Sequence, residues 1–327
     1  MEAKFGRALN FMPKECVPMA MEYLKQFKIF FGEDAMPKEM NGYRLLPGFE
    51  PDSAKVAYDQ MEINESDILI ASYPKTGTTW VVSIVHQILY GDNPADLEKY
   101  SALQFCFHYL EFGAVCKYEV FKKISFPRQV FATHLPEPLV NMKKFKANGA
   151  KLIYVIRNPK DQAVSWRHFA KGFAFAKSEF WKPLLPEDEK EFYDVYLAGN
   201  QYAFAKKGEG YLECIKEWYK HKNDENVLFL VYEEMKKNPH NEIKKIADFI
   251  GKPLSDEQLN NVVEKTSFAS MKKESEKTAP DNNEGAQFFR KGQIGDWKNH
   301  LTVAQSELID RKVKEILGDT DIQFIYE

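Results

Sequence analysis

Ser72-Tyr73-Pro74-Lys75-Thr76-Gly77-Thr78-Thr79-Trp80 joins two apolar segments of different period. Before it, Asp67-Ile68-Leu69-Ile70-Ala71 reads as a buried strand. After it, Val81 to Tyr90 reads as a helix that ends at Gly91. A strand, a short loop with lysine, glycine and hydroxyls, and then a helix is an anion-binding arrangement. The loop N–H groups and the helix N-terminus converge on one point, and the lysine adds a full charge. The ATP-binding loop reads G-x-x-x-x-G-K-[ST]. Here Lys75 precedes Gly77 and no acidic metal ligand is evident nearby, so the expected anion is held without a divalent metal. That points away from a kinase or ATPase. Taken alone, the loop also reads as a plain strand-to-helix turn, with Pro74 and Gly77 making the turn and Thr78 or Thr79 as N-cap.

Three further strands are expected at Val130–Thr133, Lys151–Ile156 and Asn226–Val231, with helices at Lys160–Lys171 and Asn241–Ile250, the latter ended by Gly251 and Pro253. Near-continuous apolar runs of this length are strands covered on both faces. The expected fold is therefore α/β: a single domain with a central parallel sheet flanked by helices and a P-loop-like phosphate-binding loop. Ligands of such sheets bind at the carboxyl ends of the strands. Residues 1–60, broken by Pro13, Pro18, Pro37, Pro47 and Pro51, read as a loose N-terminal extension on the core with one helix near Val17–Phe30. Residues 61–327 are the main domain. Lys272–Glu284 reads as an exposed flexible loop, and Lys171–Glu191, rich in aromatics and prolines, as a mobile lid.

Chemistry-bearing residues fall at the strand ends. Arg157 closes the third strand, where a guanidinium can hold a phosphate bidentately, and Ser165 follows on the next helix. A surface arginine on a solvated helix turn is the alternative reading. His134 follows the second strand and is a candidate general base. His86, His168 and His221 sit in helical patterns that packing or solvent explains. Phe288-Phe289-Arg290-Lys291-Gly292-Gln293-Ile294-Gly295 puts two cations and two glycines in one loop, a further anion-binding candidate.

Composition limits the partners. The chain has 327 residues, 44% of them hydrophobic, and a formal net charge of −3, which argues against a general nucleic-acid binder. Cys16, Cys106, Cys116 and Cys214 are scattered without a C-x-x-C pair and read as reduced packing thiols. No apolar run is long enough to span a bilayer, and no signal-peptide pattern stands at the N-terminus. A cytoplasmic protein is expected.

Together the segments 73–80, 157–166, 231–235, 265–268 and 290–297 resemble, in order, the motifs of the cytosolic sulfotransferase family, and the likeness covers roughly residues 60 to 327. The resemblance implies transfer of a sulfonyl group from 3′-phosphoadenosine 5′-phosphosulfate to a hydroxyl or amine of a small apolar acceptor such as a phenol, steroid or alcohol, with no metal. It implies that Lys75, Thr76, Gly77, Thr78 and Thr79 hold the 5′-phosphosulfate. Arg157, Ser165, Arg290, Lys291 and Gly292 would hold the 3′-phosphate, while Trp80, Tyr232, Thr266, Phe268 and Phe289 surround the base. His134 matches the catalytic histidine, and Ser165 would draw Lys75 away until the acceptor binds. Tyr109 and Phe169 match acceptor-lining positions. Phe107, Phe173 and Phe175 come from the nearby aromatic clusters and read equally as core. Many phenol-sulfating members carry a lysine where this chain has Ala132. Lys298, Thr302, Val303 and Glu307 fit the family's short dimerisation motif, and Thr302 with Gln305 also reads as a capping box. The competing readings are an enzyme that uses sulfonation to drive dehydration of an alcohol, and a nucleotide-binding protein without catalysis.

Overall fold

The computed structural model describes residues 2–30, 32–124, 126–201, 203–278 and 289–327. Its centre is a four-stranded parallel sheet formed by β3 (Ile68–Ser72), β4 (Val130–Thr133), β5 (Lys151–Ile156) and β6 (Val227–Val231), in the order β4-β3-β5-β6. A small antiparallel pair, β1 (Lys38–Met40) and β2 (Tyr43–Leu45), precedes it.

The apolar runs work as buried parallel strands do. Along β3, Ile68 and Ile70 pack into one core with Val81, Ile84, Val85, Ile243 and Ile246, while Leu69 and Ala71 pack into the other with Val164, Trp166, Ile215 and Trp218. Each fully buried side chain of this kind contributes about 1.5–3 kcal/mol relative to exposure. The first core lies under α4 (Thr78–Tyr90), α12 (Pro239–Phe249) and α13 (Asp256–Lys265); the second lies under α8 (Pro159–Ala170) and α10 (Tyr211–Tyr219). The chain therefore leaves β3 toward one face and β5, its neighbour, toward the other. Such a switch in direction opens a crevice at the carboxyl ends of two adjacent strands.

Strand and helix positions expected from sequence agree with the structure to within about two residues, including α2 at Val17–Phe30, except that α4 starts three residues before the expected Val81. Three differences have local causes. The N-terminal sixty residues carry two more helices, α1 (Glu2–Leu9) and α3 (Pro51–Asp59), besides the β1–β2 pair. Pro51 stands at the start of α3, where a proline lacks only an N–H that would be unpaired anyway. The expected loop after Lys272 is helical as far as Thr278, in α14 (Phe268–Thr278); residues 279–288 lie outside those described. In the segment expected to be a lid, Phe175 and Trp181 are buried, and the Trp181 indole donates to the Ala35 carbonyl at 2.8 Å.

Candidate active site

The loop after β3 takes its shape from two left-handed residues, Lys75 (φ 70°) and Gly77 (φ 116°). Gly77, not a threonine, is the N-cap of α4. A Cβ on Gly77 would stand 2.9 Å from the Tyr232 ring, so glycine is required by both conformation and space. The Thr76 hydroxyl donates to the Tyr73 carbonyl at 2.8 Å and closes the loop on itself. Thr76 is buried and is not among the side chains that line the cleft.

The cleft holds about 1100 Å³ of empty space, counted to its open mouth. The structure brings Lys75, Gly77, Thr78, Thr79, Trp80, Tyr109, His134, Arg157, Ser165 and Phe169 to its wall. Tyr232, Thr266, Phe268, Phe289, Arg290, Lys291 and Gly292 join them from the far end of the chain. Four more residues line it: Pro74 of the loop motif, His168, whose helical setting reads as packing or solvent, and Lys236 and Met271, which carry no sequence signal. The side chain of Phe107 lies outside those described. Phe175 is core and stacks on Phe173, with ring centroids 4.7 Å apart.

At one end of the cleft the groups are basic. Arg157 extends from the end of β5, its guanidinium over the Tyr232 ring at 4.6 Å and 3.3 Å from the Lys75 carbonyl. Its Nε is buried and meets no partner among the described residues. Arg290 and Lys291 both reach Asp296 at 2.6 Å. Burial opposes ionisation of Asp296, but hydrogen bonds from Lys291, Asn299 and Arg290 hold the carboxyl well below its ordinary range. The Asp161 carboxylate, on the first turn of α8, accepts the N–H groups of Gly295 (2.8 Å) and Trp297 (3.0 Å) and so ties the loop to the helix. Gly292 (φ 61°) lies against Phe268, where a Cβ would approach the ring to 2.4 Å. Trp80 meets Tyr232 edge-on at 5.4 Å, and Phe268 meets Phe289 edge-on at 6.0 Å.

The other end is aromatic. His134 Nδ1 lies 2.7 Å from the Ser72 carbonyl, which can only accept, so Nδ1 carries the proton and Nε2 is left as the basic nitrogen. Burial lowers its pKa to about 4, and the charges of His108 and Lys75 act in the same direction against the bond to Ser72. Tyr109, Phe204 and Phe49 surround the ring at 4.9, 5.5 and 6.2 Å. Beneath them, the buried Glu111 carboxylate accepts the His134 N–H at 2.7 Å and the Thr133 hydroxyl at 2.8 Å. Buried Lys117 donates to the carbonyls of Tyr109, Leu110 and Phe112 at 2.6–2.7 Å. Burial pushes the Glu111 carboxyl up and the Lys117 ammonium down. Ala132 is fully buried and bridges to Tyr109.

Lys75 stands between the two ends, its Nζ 4.1 Å from the centre of the Phe169 ring. Burial, then the charges of Arg157 and Arg290, lower its pKa to about 7. The arrangement places an imidazole and an amine at the carboxyl ends of adjacent strands, between a cluster of cations and a cluster of aromatic rings.

A family model described as a sulfotransferase domain matches residues 65–321. The chain is 37% identical over 278 residues to the amine sulfotransferase of Oryctolagus cuniculus, covering 82% of this chain and 86% of the relative. It is 33% identical over 297 residues to sulfotransferase 1B1 of Mus musculus, covering 88% and 94%. Among solved structures, mouse sulfotransferase SULT7A1 complexed with PAP aligns with a TM-score of 0.68 at 26% identity, covering 88% of this chain and 96% of that one. Retinol dehydratase in a complex with retinol and PAP shares the fold, with a TM-score of 0.67 at 22% identity and coverage of 93% and 96%. The family match spans both ends of the cleft and the relatives cover most of the chain, so this protein belongs to the sulfotransferase family and is an enzyme of that family.

Proposed function

We propose that this enzyme transfers a sulfonyl group from 3′-phosphoadenosine 5′-phosphosulfate to a hydroxyl or amine of a small apolar acceptor. One observation carries the reading: Lys75 and His134, at the ends of neighbouring strands, face one cleft between a cluster of cations and a cluster of aromatic rings. The residues suit the nucleotide. Among the described residues Arg157 Nε is unpartnered and Arg290 and Lys291 share the Asp296 carboxylate, while Gly77 and Gly292 keep the wall clear where a Cβ would collide.

The bound nucleotide supplies an activated sulfonyl group. His134 Nε2 takes the proton from the acceptor, and Ser72 keeps the imidazole in the tautomer that can do so. The Lys75 ammonium and the loop N–H groups face the charge that develops on the leaving phosphate oxygen; loss of one such donor costs about 10²–10³ in rate. Arg157, Ser165, Arg290, Lys291 and the Gly292 backbone hold the 3′-phosphate. Trp80, Tyr232, Thr266, Phe268 and Phe289 hold the base. Tyr109 and Phe169 line the acceptor end, and on this reading Phe49 and Phe204 join them.

Residues 1–60 belong to the same domain as 61–327 on this view, since Phe49 reaches the His134 ring and Tyr23 donates to the Phe112 carbonyl. The enzyme acts in the cytoplasm as a homodimer joined near Lys298, Thr302, Val303 and Glu307. Val303 opens the C-terminal helix (Val303–Leu317) with 75% of its surface exposed, beside a Thr302–Gln305 capping box. A monomer mass by light scattering at micromolar concentration would remove the dimer.

The activity is tested by incubating the protein with the nucleotide and a panel of phenols, steroids, alcohols and amines, then weighing the products. A gain of one sulfonyl group supports transfer. Loss of water from an alcohol would replace it with sulfonation-driven dehydration. Nucleotide binding with no product from any acceptor class would favour a binding protein.

A further inference from the structure

Helix α8 places Asp161, Ser165 and His168 at i, i+4 and i+7, one stripe along its length. Asp161 fixes the 290–297 loop against the start of that stripe. Ser165 and His168 continue it along the wall of the cleft, in company with Arg290 and Lys291. The His168 ring meets His300 edge-on at 5.3 Å. His300 is engaged through Nδ1, 2.9 Å from Glu189; its Nε2, 3.3 Å from Asp296, makes no hydrogen bond among the described residues. His168 Nε2 is buried and meets no partner among the described residues. The charged groups around the ring are Arg290 and His300 from the C-terminal segment, Arg167 from α8 itself, and Glu189 from the start of α9 (Glu189–Leu197). Burial first, then those cations, lower His168 to about 4 and keep the imidazole neutral. A neutral imidazole with a buried, unsatisfied nitrogen on a cationic wall is poised to donate to an anion.

We propose that His168 is a further ligand of the 3′-phosphate, donating Nε2–H to it beside Arg157, Ser165 and Arg290. The inference rests on the proposed nucleotide. It gives a role to a histidine whose helical setting suggests only packing.

Titration calorimetry with adenosine 3′,5′-bisphosphate and adenosine 5′-monophosphate decides it, since the two differ only in the group His168 would touch. The wild type should bind the bisphosphate far more tightly. His168→Ala should weaken the bisphosphate about tenfold, the scale of one charge-assisted hydrogen bond, and leave the monophosphate unchanged; His168→Gln should restore part of the difference. Equal weakening toward both nucleotides would mean a structural role and would overturn the proposal, as would no change toward either. A wild type that binds both alike would overturn the 3′-phosphate subsite itself, and the proposal with it.

Discussion

At the basic end of the cleft, Arg290 and Lys291 pair with Asp296, and Asp161 holds their loop through the N–H groups of Gly295 and Trp297. At the aromatic end, His134 is held by the Ser72 carbonyl at its ring and by the buried Glu111 carboxylate at its backbone N–H, and its ring neighbours come from residues as far apart as Phe49 and Phe204. The first end keeps unsatisfied donors, such as Arg157 Nε, that an anion can complete. The second, among the described residues, holds His134 through internal hydrogen bonds and presents the rings of Tyr109, Phe49 and Phe204 around its one basic nitrogen. Charge is ready to be neutralised at one end, and geometry is already fixed at the other.

Substitutions at the boundary should separate the two. His134→Ala is expected to abolish transfer while leaving nucleotide affinity nearly intact. Lys75→Ala should cost at least 10²–10³ in turnover, as for a lost transition-state donor, and should weaken the nucleotide as well. Single-turnover assays beside calorimetry check both; an equal fall in nucleotide affinity for the two variants would erase the distinction between the ends. Gly292→Ala comes next. Its φ of 61° and the 2.4 Å approach to Phe268 leave no room for a methyl group, and strain of this kind costs about 1–3 kcal/mol. Nucleotide affinity should fall about tenfold with the acceptor KM unmoved; a change in acceptor KM instead would place Gly292 at the wrong end.

The same contrast explains what the sequence reveals. Lys75, Arg157, Arg290 and Lys291 are legible because cations and glycines at strand ends have few structural uses, so their spacing points to an anion. Phe49 and Phe204 are not legible. An aromatic ring that lines a pocket and one that fills a core obey the same pattern, and only the tertiary fold separates them. Phe175 shows the same ambiguity, since its position among aromatics reads equally as acceptor contact and as core, and the fold buries it. His168 was hidden because a histidine inside a helix carries no sign of which face it occupies until the loop at 290–297 is folded against it. The sheet itself is legible throughout, because strands covered on both faces must be apolar over their length.

Glu111→Gln tests whether the aromatic end is held from behind. The amide keeps one acceptor for the His134 N–H but loses the charge whose field favours the ammonium of buried Lys117. Turnover should fall about tenfold and thermal stability should drop, because an uncompensated buried charge is costly. Nucleotide affinity should hold. If stability drops and turnover per folded enzyme does not, Glu111 supports the fold alone.

The mildest effect is the response to pH, and it divides the ends again. Lys75 in the free enzyme lies at about 7, so above that pH part of the protein has a neutral amine where the anion must bind. Bound anion favours the ammonium, so binding takes up a proton, and the sign follows: affinity falls as pH rises, by at most tenfold per unit. The phosphate itself is already dianionic over that range, with a second pKa of about 6, and does not reverse the trend. His134, lowered to about 4, stays a neutral base throughout. Nucleotide affinity measured by calorimetry from about pH 7 to about pH 9 should therefore decline in the wild type and stay flat in Lys75→Met, which has no ammonium to lose. A flat wild-type profile would mean that Lys75 remains charged in the free enzyme, and that Arg157 and Arg290 do not press on it as their placement implies.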